Sequence, residues 1–400
     1  MTEAPAFRIP PPAFLQDGAL APILAALPRA RVVGGGVRDT LAGREVADVD
    51  LATPDPPDDV IAALRAAGLK SAPTGLKHGT VTAISNHRGF EVTTLRRDVE
   101  TDGRHAEVAW TSDWQEDAAR RDFTMNAMSM TPAGEIFDYF GGAADLEAGR
   151  VRFVGDPAAR IAEDYLRILR FFRFHARYGS GEPDPATLAA LRDGVPGLAR
   201  LSPERVWSEL KRILLAPDPA GSVRLMAELG VLQAVLPEAA AVEALRRLVE
   251  AGAPADPMLR LAALAPGDTT ELAERLRLST AERTELADLA GPAPKPDLDG
   301  AGLRRALAET PAEVLIGRSW LAHGRAGEGV RARLAAAERP VFKLAGRDAL
   351  ALGLEPGPVV GELIRQVREW WLAGGCIADA AACRAELARL VQRRGDWRSS

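Results

Sequence analysis

Three consecutive glycines follow a β-prone run near the N-terminus and constrain the fold of this chain more than any other feature. Ala30–Val33 favours a strand, Gly34–Gly36 follows it, and Arg38 and Asp39 stand where a helix would begin. Glycines after a strand let the backbone approach phosphate oxygens and offer them N–H groups. An arginine at the start of the next helix can bind a triphosphate through paired hydrogen bonds. The segment therefore predicts a nucleotide-phosphate site, although it lacks the Gly-Lys-Ser/Thr of a Walker loop.

Two aspartates lie close behind this turn. Asp48 and Asp50 belong to the run Val46–Ala52, where carboxylates alternate with apolar residues as in a strand, so both side chains are expected on one face. Paired carboxylates repel each other unless a divalent cation lies between them, and Mg²⁺ takes oxygen ligands from carboxylates and phosphates. Two-metal phosphoryl transfer uses such a pair to activate a hydroxyl and stabilise a leaving pyrophosphate. Behind this glycine turn, the pair predicts a catalytic metal site.

The character of the sequence changes near residues 140–150. Before that point, strand-like runs at Val81–Ile84 and Glu91–Leu95 accompany helical spacing at Pro57–Ala67. After it, apolar residues recur every three or four positions, as in Ala158–Tyr178, and strand signals nearly vanish. We therefore expect an α+β head with a mixed β-sheet, followed by an all-α neck, body and tail. The expected bounds are 1–144 for the head, 145–217 for the neck, 218–325 for the body and 326–400 for the tail.

Composition excludes several classes of protein. With 47% hydrophobic and 26% charged residues the chain is typical of soluble globular proteins, and its apolar runs fall far short of the ~20 residues that a bilayer requires. The first residues do not resemble a secretory signal, so a cytoplasmic location and no membrane contact are expected. Two cysteines are too few for a disulfide framework or a zinc site. A net charge of −5 excludes a generally basic coat, but an enzyme that releases RNA can confine its basic residues to one groove.

Six motifs in order across residues 32–209 resemble those of the class II nucleotidyltransferases of the polymerase-beta superfamily. That group contains the CCA-adding enzymes and the bacterial poly(A) polymerases. The matching segments are Gly34–Asp39 with Asp48–Asp50, His78–Val81 with Glu91–Arg96, Arg120–Ala127, Asp138–Leu146, Glu163–Arg173 and Ser202–Glu209. The remainder matches more weakly, at Leu352–Pro358.

The resemblance implies that Asp48 and Asp50 bind the metal and that Gly35 and Arg38 hold the triphosphate. In the family's ribose-recognition motif, an arginine would contact ribose or phosphate and the asparagine would orient the sugar. The motif residues here are Arg120, Arg121, Asp122 and Asn126. Without the resemblance, the two arginines indicate only a solvated helix start. The role of Glu91 is likewise undecided, since Glu91 could be a third metal carboxylate or form a salt bridge to an arginine of the site.

Asp164, Arg167 and Arg170 recur at intervals of three, so that on one helix they would share a face, which Arg173 extends. Apolar neighbours suggest that the row is partly enclosed. An enclosed arginine can donate to the acceptors of cytosine, and an aspartate can accept from the amino group of cytosine or adenine. The resemblance implies that Asp164 and Arg167 select C or A without a template. Arg170 and Arg173 would neutralise phosphate or hold the helix. The alternative is a salt-bridged surface stripe.

The resemblance implies an enzyme that adds CCA to the 3′ end of tRNA from CTP and ATP, with Mg²⁺ as cofactor and pyrophosphate as product. A poly(A) polymerase, or an enzyme that adds only CC or only A, shares these motifs. A non-catalytic RNA-binding relative is a further alternative, against which the intact carboxylate pair argues. Arginines recurring from Arg318 to Arg394 would bind the tRNA acceptor arm, because phosphate contacts hold an A-form helix without reading its sequence. Scattered solvated arginines would give the same pattern.

Overall fold

The computed structural model describes residues 3–101 and 106–398, and the chain separates into two compact units, Met1–Pro237 and Glu238–Ser400. The strands described all lie in the first unit. They are β1 (Phe7–Arg8), β2 (Arg31–Val33), β3 (Asp50–Thr53), β4 (Lys70–Gly75), β5 (Thr80–Ser85), β6 (Arg88–Thr94), β7 (Arg96–Thr101), β8 (Ala106–Trp110), β9 (Met128–Met130) and β10 (Glu135–Asp138).

The helices of the first unit lie between and after these strands. They are α1 (Ala21–Ala26), α2 (Gly35–Leu41), α3 (Pro57–Ala66), α4 (Trp114–Ala119), α5 (Gly142–Glu147), α6 (Pro157–Glu163), α7 (Leu166–Tyr178), α8 (Pro185–Asp193), α9 (Pro203–Leu214), α10 (Ala220–Glu228) and α11 (Val231–Val235). The expected change from mixed α/β to helical structure is confirmed, since the last strand ends at Asp138.

Eight strands form one mixed sheet in the order β1-β10-β9-β2-β3-β6-β5-β4, and β7 pairs only with β8. The pair β3–β6 is parallel, and the other neighbours are antiparallel. In the central pair β2–β3, Val33 lies opposite Asp50. The glycine turn that follows Val33 and the carboxylate that opens β3 therefore emerge at the same edge of the sheet.

Helices cover one face of the sheet, because alternate side chains along its strands are apolar and are buried on that face. In β5, Val81 and Ala83 are buried, and they share a core with Leu64 of α3 and Ile23 of α1. The hairpin β5–β6 turns through two residues with positive φ, including Asn86 at 47°, as a two-residue hairpin of right-handed twist requires. The strands predicted at Ala30–Val33, Val81–Ile84 and Glu91–Leu95 and the helix predicted at Pro57–Ala67 are confirmed.

Two local predictions are wrong, each for a structural reason. β3 begins at Asp50, so Asp48 lies outside the strand: the pairing of β3 with β2 starts opposite Val33, where β2 ends and Gly34 turns away with φ 62° into α2. The expected continuous helix over Ala158–Tyr178 is broken at Asp164, whose backbone is extended at φ −153°. The Asp164 carboxylate accepts a hydrogen bond from Leu166 N (3.0 Å) and so starts a new helix.

Aromatic packing joins α7 to the head within the first unit. Phe123 contacts Phe153 (4.7 Å between ring centroids) and, on α7, Phe171 and Phe174 at 6.3 and 5.2 Å. Phe123, Phe153 and Phe171 are fully buried. The burial of several large rings, each contributing roughly 1.5–3 kcal/mol, holds the segment that begins at Arg120 against α7.

The second unit is helical in its described residues. Its helices are α12 (Val242–Glu250), α13 (Pro257–Leu264), α14 (Thr270–Arg275), α15 (Thr280–Leu289), α16 (Gly300–Glu309), α17 (Ala312–His323), α18 (Glu328–Ala336), α19 (Gly346–Leu350), α20 (Pro358–Ala373) and α21 (Ala380–Arg398). Cys376 and Cys383 are buried there as free thiols beside Trp371. Among the described residues, no helix combines the length and apolarity needed to cross a membrane. The bounds of neck, body and tail remain a prediction.

Candidate active site

A cavity of about 870 Å³ in the first unit brings together the residues that the sequence predicted for the site. Its walls come from the turn before α2, the start of β3, the segment after α4, α7 and α9. The predicted residues that line it are Gly35, Arg38, Asp48, Asp50, Arg120, Arg121, Asp122, Asn126, Asp164, Arg167, Arg170 and Arg173. Glu91 does not line this cavity.

Two of the three glycines in the turn leave little room for a side chain. A Cβ on Gly34, whose φ is 62°, would lie 3.1 Å from Arg121 Nη1, and one on Gly36 would lie 2.8 Å from Val32 Cγ1. Gly35 is the first residue of α2 and lines the cavity. The turn therefore exposes backbone at the point where a phosphate could approach it.

Arg38 is held by hydrogen bonds on two sides. Its Nε and Nη2 donate to the Asp39 carboxylate at 3.1 and 3.0 Å, and its Nη1 donates to Asn126 Oδ1 at 2.7 Å. A guanidinium has five N–H groups, so two remain for another acceptor. The side chain is oriented before any ligand binds.

Three carboxylates lie near one another at this edge of the sheet. Desolvation raises the pKa of Asp50, the charges of Glu91 and Asp48 add to that effect, and Arg121 opposes it. Glu91 comes near because β3 pairs with β6 in the register Leu51 to Val92. No group of three or more His, Cys, Asp or Glu side chains in the described ranges forms a metal-binding cluster. Asp48 and Asp50, which both line the cavity, could hold a cation that takes its other ligands from phosphate oxygens and water.

The arginine pair of the third motif is organised by Asp117, which the sequence reading missed. Asp117 is buried and forms ion pairs with Arg120 at 2.8 Å and Arg121 at 3.2 Å. Burial opposes its ionisation, but these two arginines hold the pKa of Asp117 below its usual range. Its position three and four residues before the arginines on a helix was the available signal. The two arginine side chains are less than one-fifth exposed, which argues against a solvated helix start.

Asp122 links this motif to α7. Its Oδ1 accepts from Asn126 Nδ2 at 3.0 Å, and its Oδ2 accepts from Arg170 Nε at 2.7 Å. Burial opposes ionisation of Asp122, but the charge of Arg170 and the hydrogen bonds from Asn126, Arg170 and the Phe123 N–H together keep the pKa of Asp122 below its usual range. Because Arg170 is committed to this buried pair, it holds the helix in place.

Asp164 and Arg167 both reach the cavity, but not along one helical face as expected. Asp164 Oδ2 accepts from Arg205 Nη2 of α9 at 2.8 Å. Arg167 forms an ion pair with Glu163, and its Nη1 also donates to Arg160 O at 2.9 Å. The helix break at Asp164 separates the two side chains into different pairings.

Further along α7, Arg173 forms an ion pair with buried Glu209 of α9 at 2.8 Å. Desolvation lowers the pKa of Arg173 to about 10, against the opposing charge of Glu209, so the side chain stays protonated at neutral pH. Tyr178 and Arg212 also line the cavity. The sequence analysis missed them, because they lie beyond the ends of the matched segments Glu163–Arg173 and Ser202–Glu209.

Comparison with known proteins first defines the class. Residues 30–152 match the family model described as the Poly A polymerase head domain. Residues 182–243 match the model described as the probable RNA and SrmB-binding site of polymerase A. Together with the paired carboxylates and the arginine-lined cleft, these matches define a nucleotidyltransferase with a poly(A) polymerase-type head.

Longer matches identify the family. The chain is 38% identical over 361 residues to CCA tRNA nucleotidyltransferase 1, mitochondrial, of Danio rerio, covering 85% of this chain and 83% of that protein. It is 38% identical over 362 residues to the Homo sapiens protein of the same name, covering 86% and 83%. This chain therefore belongs to the CCA tRNA nucleotidyltransferase family.

Solved structures agree with this assignment. The crystal structure of the Bacillus stearothermophilus CCA-adding enzyme in complex with CTP superposes with a TM-score of 0.73 at 27% identity, covering 94% of this chain and 97% of that one. The Thermotoga maritima CCA-adding enzyme complexed with tRNA shares the fold, with a TM-score of 0.64 at 20% identity and coverage of 94% and 98%.

Proposed function

We propose that this protein adds CCA to the 3′ end of tRNA from CTP and ATP and releases pyrophosphate. The observation that carries the proposal is the single cleft that unites a carboxylate pair with the ordered Arg38 and with Asp164 and Arg167. Membership of the CCA tRNA nucleotidyltransferase family supports the choice of tRNA as the substrate.

The carboxylate pair suits a divalent ion, and we infer that this ion is Mg²⁺. Desolvation raises the pKa of Asp50, and the charges of Glu91 and Asp48 raise it further. A cation at this edge of the sheet would relieve the repulsion between these carboxylates. Bound between Asp48, Asp50 and the triphosphate, Mg²⁺ would favour ionisation of the RNA 3′-hydroxyl and stabilise the leaving pyrophosphate. No covalent intermediate on the protein is required, since the 3′-hydroxyl itself attacks the α-phosphate.

Arginines of the cleft position the nucleotide. Arg38, aligned by Asp39 and Asn126, directs its remaining N–H groups to the triphosphate. Arg120 and Arg121, held by a buried carboxylate, meet the ribose or a phosphate. These donors are fixed before the reaction, so little reorganisation is needed in the transition state.

Base selection falls to Asp164 and Arg167. A carboxylate offers about four acceptor sites and Asp164 uses two of them, while the bonds of Arg167 run through Nη1. The remaining donors of Arg167 suit the acceptors of cytosine, and Asp164 suits an exocyclic amino group. Where cytosine and adenine carry this amino group, uracil and guanine carry a carbonyl oxygen, which the Asp164 carboxylate would repel.

Incubation with tRNA transcripts that end before, within or after CCA tests the proposal. With Mg²⁺, CTP and ATP we expect addition to stop when CCA is complete, and no addition to the mature end. Long A-tails from ATP alone would instead support a poly(A) polymerase, which the description of the matched head model favours as the second candidate. Failure to extend any RNA end would contradict both.

The cytoplasmic location expected from the sequence stays a proposal, because the two animal relatives are named as mitochondrial proteins. Fractionation of the source cells, followed by detection of the chain with an antibody, tests it.

A further inference from the structure

Tyr178, the last residue of α7, joins two parts of the cleft and has no role in the reaction described so far. Its hydroxyl donates a hydrogen bond to Asp39 Oδ1, 139 positions earlier in the chain, and both residues line the cleft. α7 carries Arg167, which is assigned to the base, whereas Asp39 belongs to α2, which follows the glycine turn. The bond therefore connects the base-reading helix with the triphosphate-binding turn.

Asp39 passes this contact on to Arg38. Asp39 Oδ1 accepts from both Tyr178 and Arg38 Nε, and Asp39 Oδ2 accepts from Arg38 Nη2. The side chains of Arg38 and Asp39 are 12% and 15% exposed, so water competes little for these bonds. If the hydroxyl is removed, Asp39 loses the only one of these donors that comes from outside its own helix, and the orientation of Arg38 is less well defined.

The aromatic ring of Tyr178 acts on Arg38 by a separate route. The guanidinium carbon of Arg38 lies 4.7 Å from the ring centroid, and that of Arg44 lies at the same distance. Both distances allow cation–π attraction. A phenylalanine at this position keeps the ring and removes only the hydroxyl, so the two routes can be separated.

On the basis of the proposed nucleotidyl transfer, we propose that Tyr178 is a positioning residue whose hydroxyl fixes Asp39 and thereby orients Arg38 toward the triphosphate. CTP and ATP share the triphosphate, so the contact sets the affinity for both nucleotides by the same factor. Base choice rests on Asp164 and Arg167 and is independent of this hydroxyl.

Binding of CTP and of ATP to the full chain, measured by calorimetry without RNA, tests the proposal. In Tyr178→Phe we expect both dissociation constants to rise by about five- to tenfold, as for loss of one ordinary hydrogen bond, because the lost bond acts on the nucleotide only through Asp39 and Arg38. The KM values for both nucleotides should rise in parallel, while kcat and the melting temperature stay close to wild type. Tyr139→Phe is the matched control, because Tyr139 lies outside the cleft and should leave both constants unchanged.

A double-mutant cycle with Asp39→Asn separates this role from a merely structural one. If Tyr178 acts through Asp39, the double variant binds nucleotides no more weakly than Asp39→Asn alone. Additive losses, an effect on only one nucleotide, or a lower melting temperature with unchanged affinity would each overturn the proposal. Because binding is measured without RNA, a wild-type protein that binds CTP and ATP but extends no RNA would refute the proposed function and leave this inference standing.

Discussion

Buried carboxylates organise the arginines of the cleft. Asp117, Asp122 and Glu209 are each less than one-tenth exposed, and each forms an ion pair with at least one arginine that lines the cavity. A buried carboxylate is costly unless it is paired, so each one requires its arginine to stay in place. The guanidinium groups are thereby arranged before the nucleotide arrives, which is the condition for effective stabilisation of developing charge.

Replacing Asp122 should destabilise the first unit. In Asp122→Asn, the partly exposed Arg170 loses its charged partner, and we expect the free energy of unfolding to fall by about 2 kcal/mol, as for loss of a hydrogen bond to a charged group. Urea denaturation followed by circular dichroism measures this change. The control is Glu228→Gln, whose pair with Arg224 is exposed and should contribute less than about 1 kcal/mol. Equal effects of the two substitutions would contradict the assigned importance of burial.

The same carboxylate predicts a dependence of stability on pH. The Arg170 guanidinium, working against burial, keeps the pKa of Asp122 below its unfolded value. A lowered carboxylate pKa contributes stability that is fully present above the unfolded pKa of about 3.9 and is lost as the pH falls through the folded pKa. Wild-type stability should therefore fall below about pH 4 more steeply than that of Asp122→Asn. Parallel pH profiles of the two proteins would argue against this assignment.

Asp50 is the proposed metal ligand whose replacement tests the chemistry most directly. In Asp50→Asn we expect nucleotide addition to fall by at least roughly a hundredfold, because the metal loses a charged ligand, while tRNA binding is retained. Glu91→Gln is the informative comparison. Glu91 lies outside the cavity lining, so this variant should keep most of its activity. A comparable loss in Glu91→Gln would instead make Glu91 a metal ligand.

At the level of elements, the break between α6 and α7 separates the two residues that we propose for base recognition. Asp164 leaves the helix and pairs with Arg205 of α9, whereas Arg167 stays on α7 and pairs with Glu163. A continuous helix would have placed these two side chains one turn apart on the same face. The break lets the acceptor and the donor reach the cleft from different elements.

Truncation of Asp164 or Arg167 should weaken the discrimination between nucleotides with different bases. In Arg167→Ala we expect discrimination of CTP against UTP to weaken by about 1–3 kcal/mol, which is the usual contribution of a hydrogen-bonded base contact. Single-nucleotide incorporation into a tRNA transcript ending before CCA measures the ratio of kcat/KM values. Arg192→Ala, at an exposed arginine of α8, is the control and should leave the ratio unchanged. A uniform loss of activity with an unchanged ratio would remove Arg167 from base selection.

For the molecule as a whole, a net charge of −5 coexists with a cleft lined by many arginines. Most arginines of the second unit have partners of their own, such as Arg384 with Asp348 and Arg394 with Glu362. Arg333 and Arg347 are among the exposed arginines that form no ion pair within the described part of the chain. They are thus candidates in the proposed tail for contact with tRNA phosphates.

Reversal of these two charges tests the proposed tail. In the double variant Arg333→Glu, Arg347→Glu we expect weaker tRNA binding and a dependence of log K on log salt that is shallower by up to about two, while CTP affinity is unchanged. Filter binding at several salt concentrations measures both quantities. The double variant Arg65→Glu, Lys70→Glu in the head carries the same charge change and should behave like wild type. Equal weakening in both would indicate a general charge effect.

The sequence by itself determined the class of fold and supplied the candidate residues of the site. The glycine turn and the aspartate pair follow from local backbone geometry, whereas the arginine motifs were assigned through the resemblance to a known family. All twelve predicted residues line one cavity, and their roles remain predictions. Asp117 could have been found in the same way, from its helical spacing to Arg120 and Arg121.

Tertiary structure alone decided the pairings and the limits of the elements. Asp122 pairs with Arg170 and Tyr178 with Asp39, across 48 and 139 positions of the sequence. Periodicity states which face of an element a side chain occupies, but not which distant element packs against that face. β3 starts at Asp50 because β2 ends opposite it, a limit set by the partner strand. The site residues were therefore predictable from local sequence, whereas the contacts that orient them depend on the packing of the whole unit.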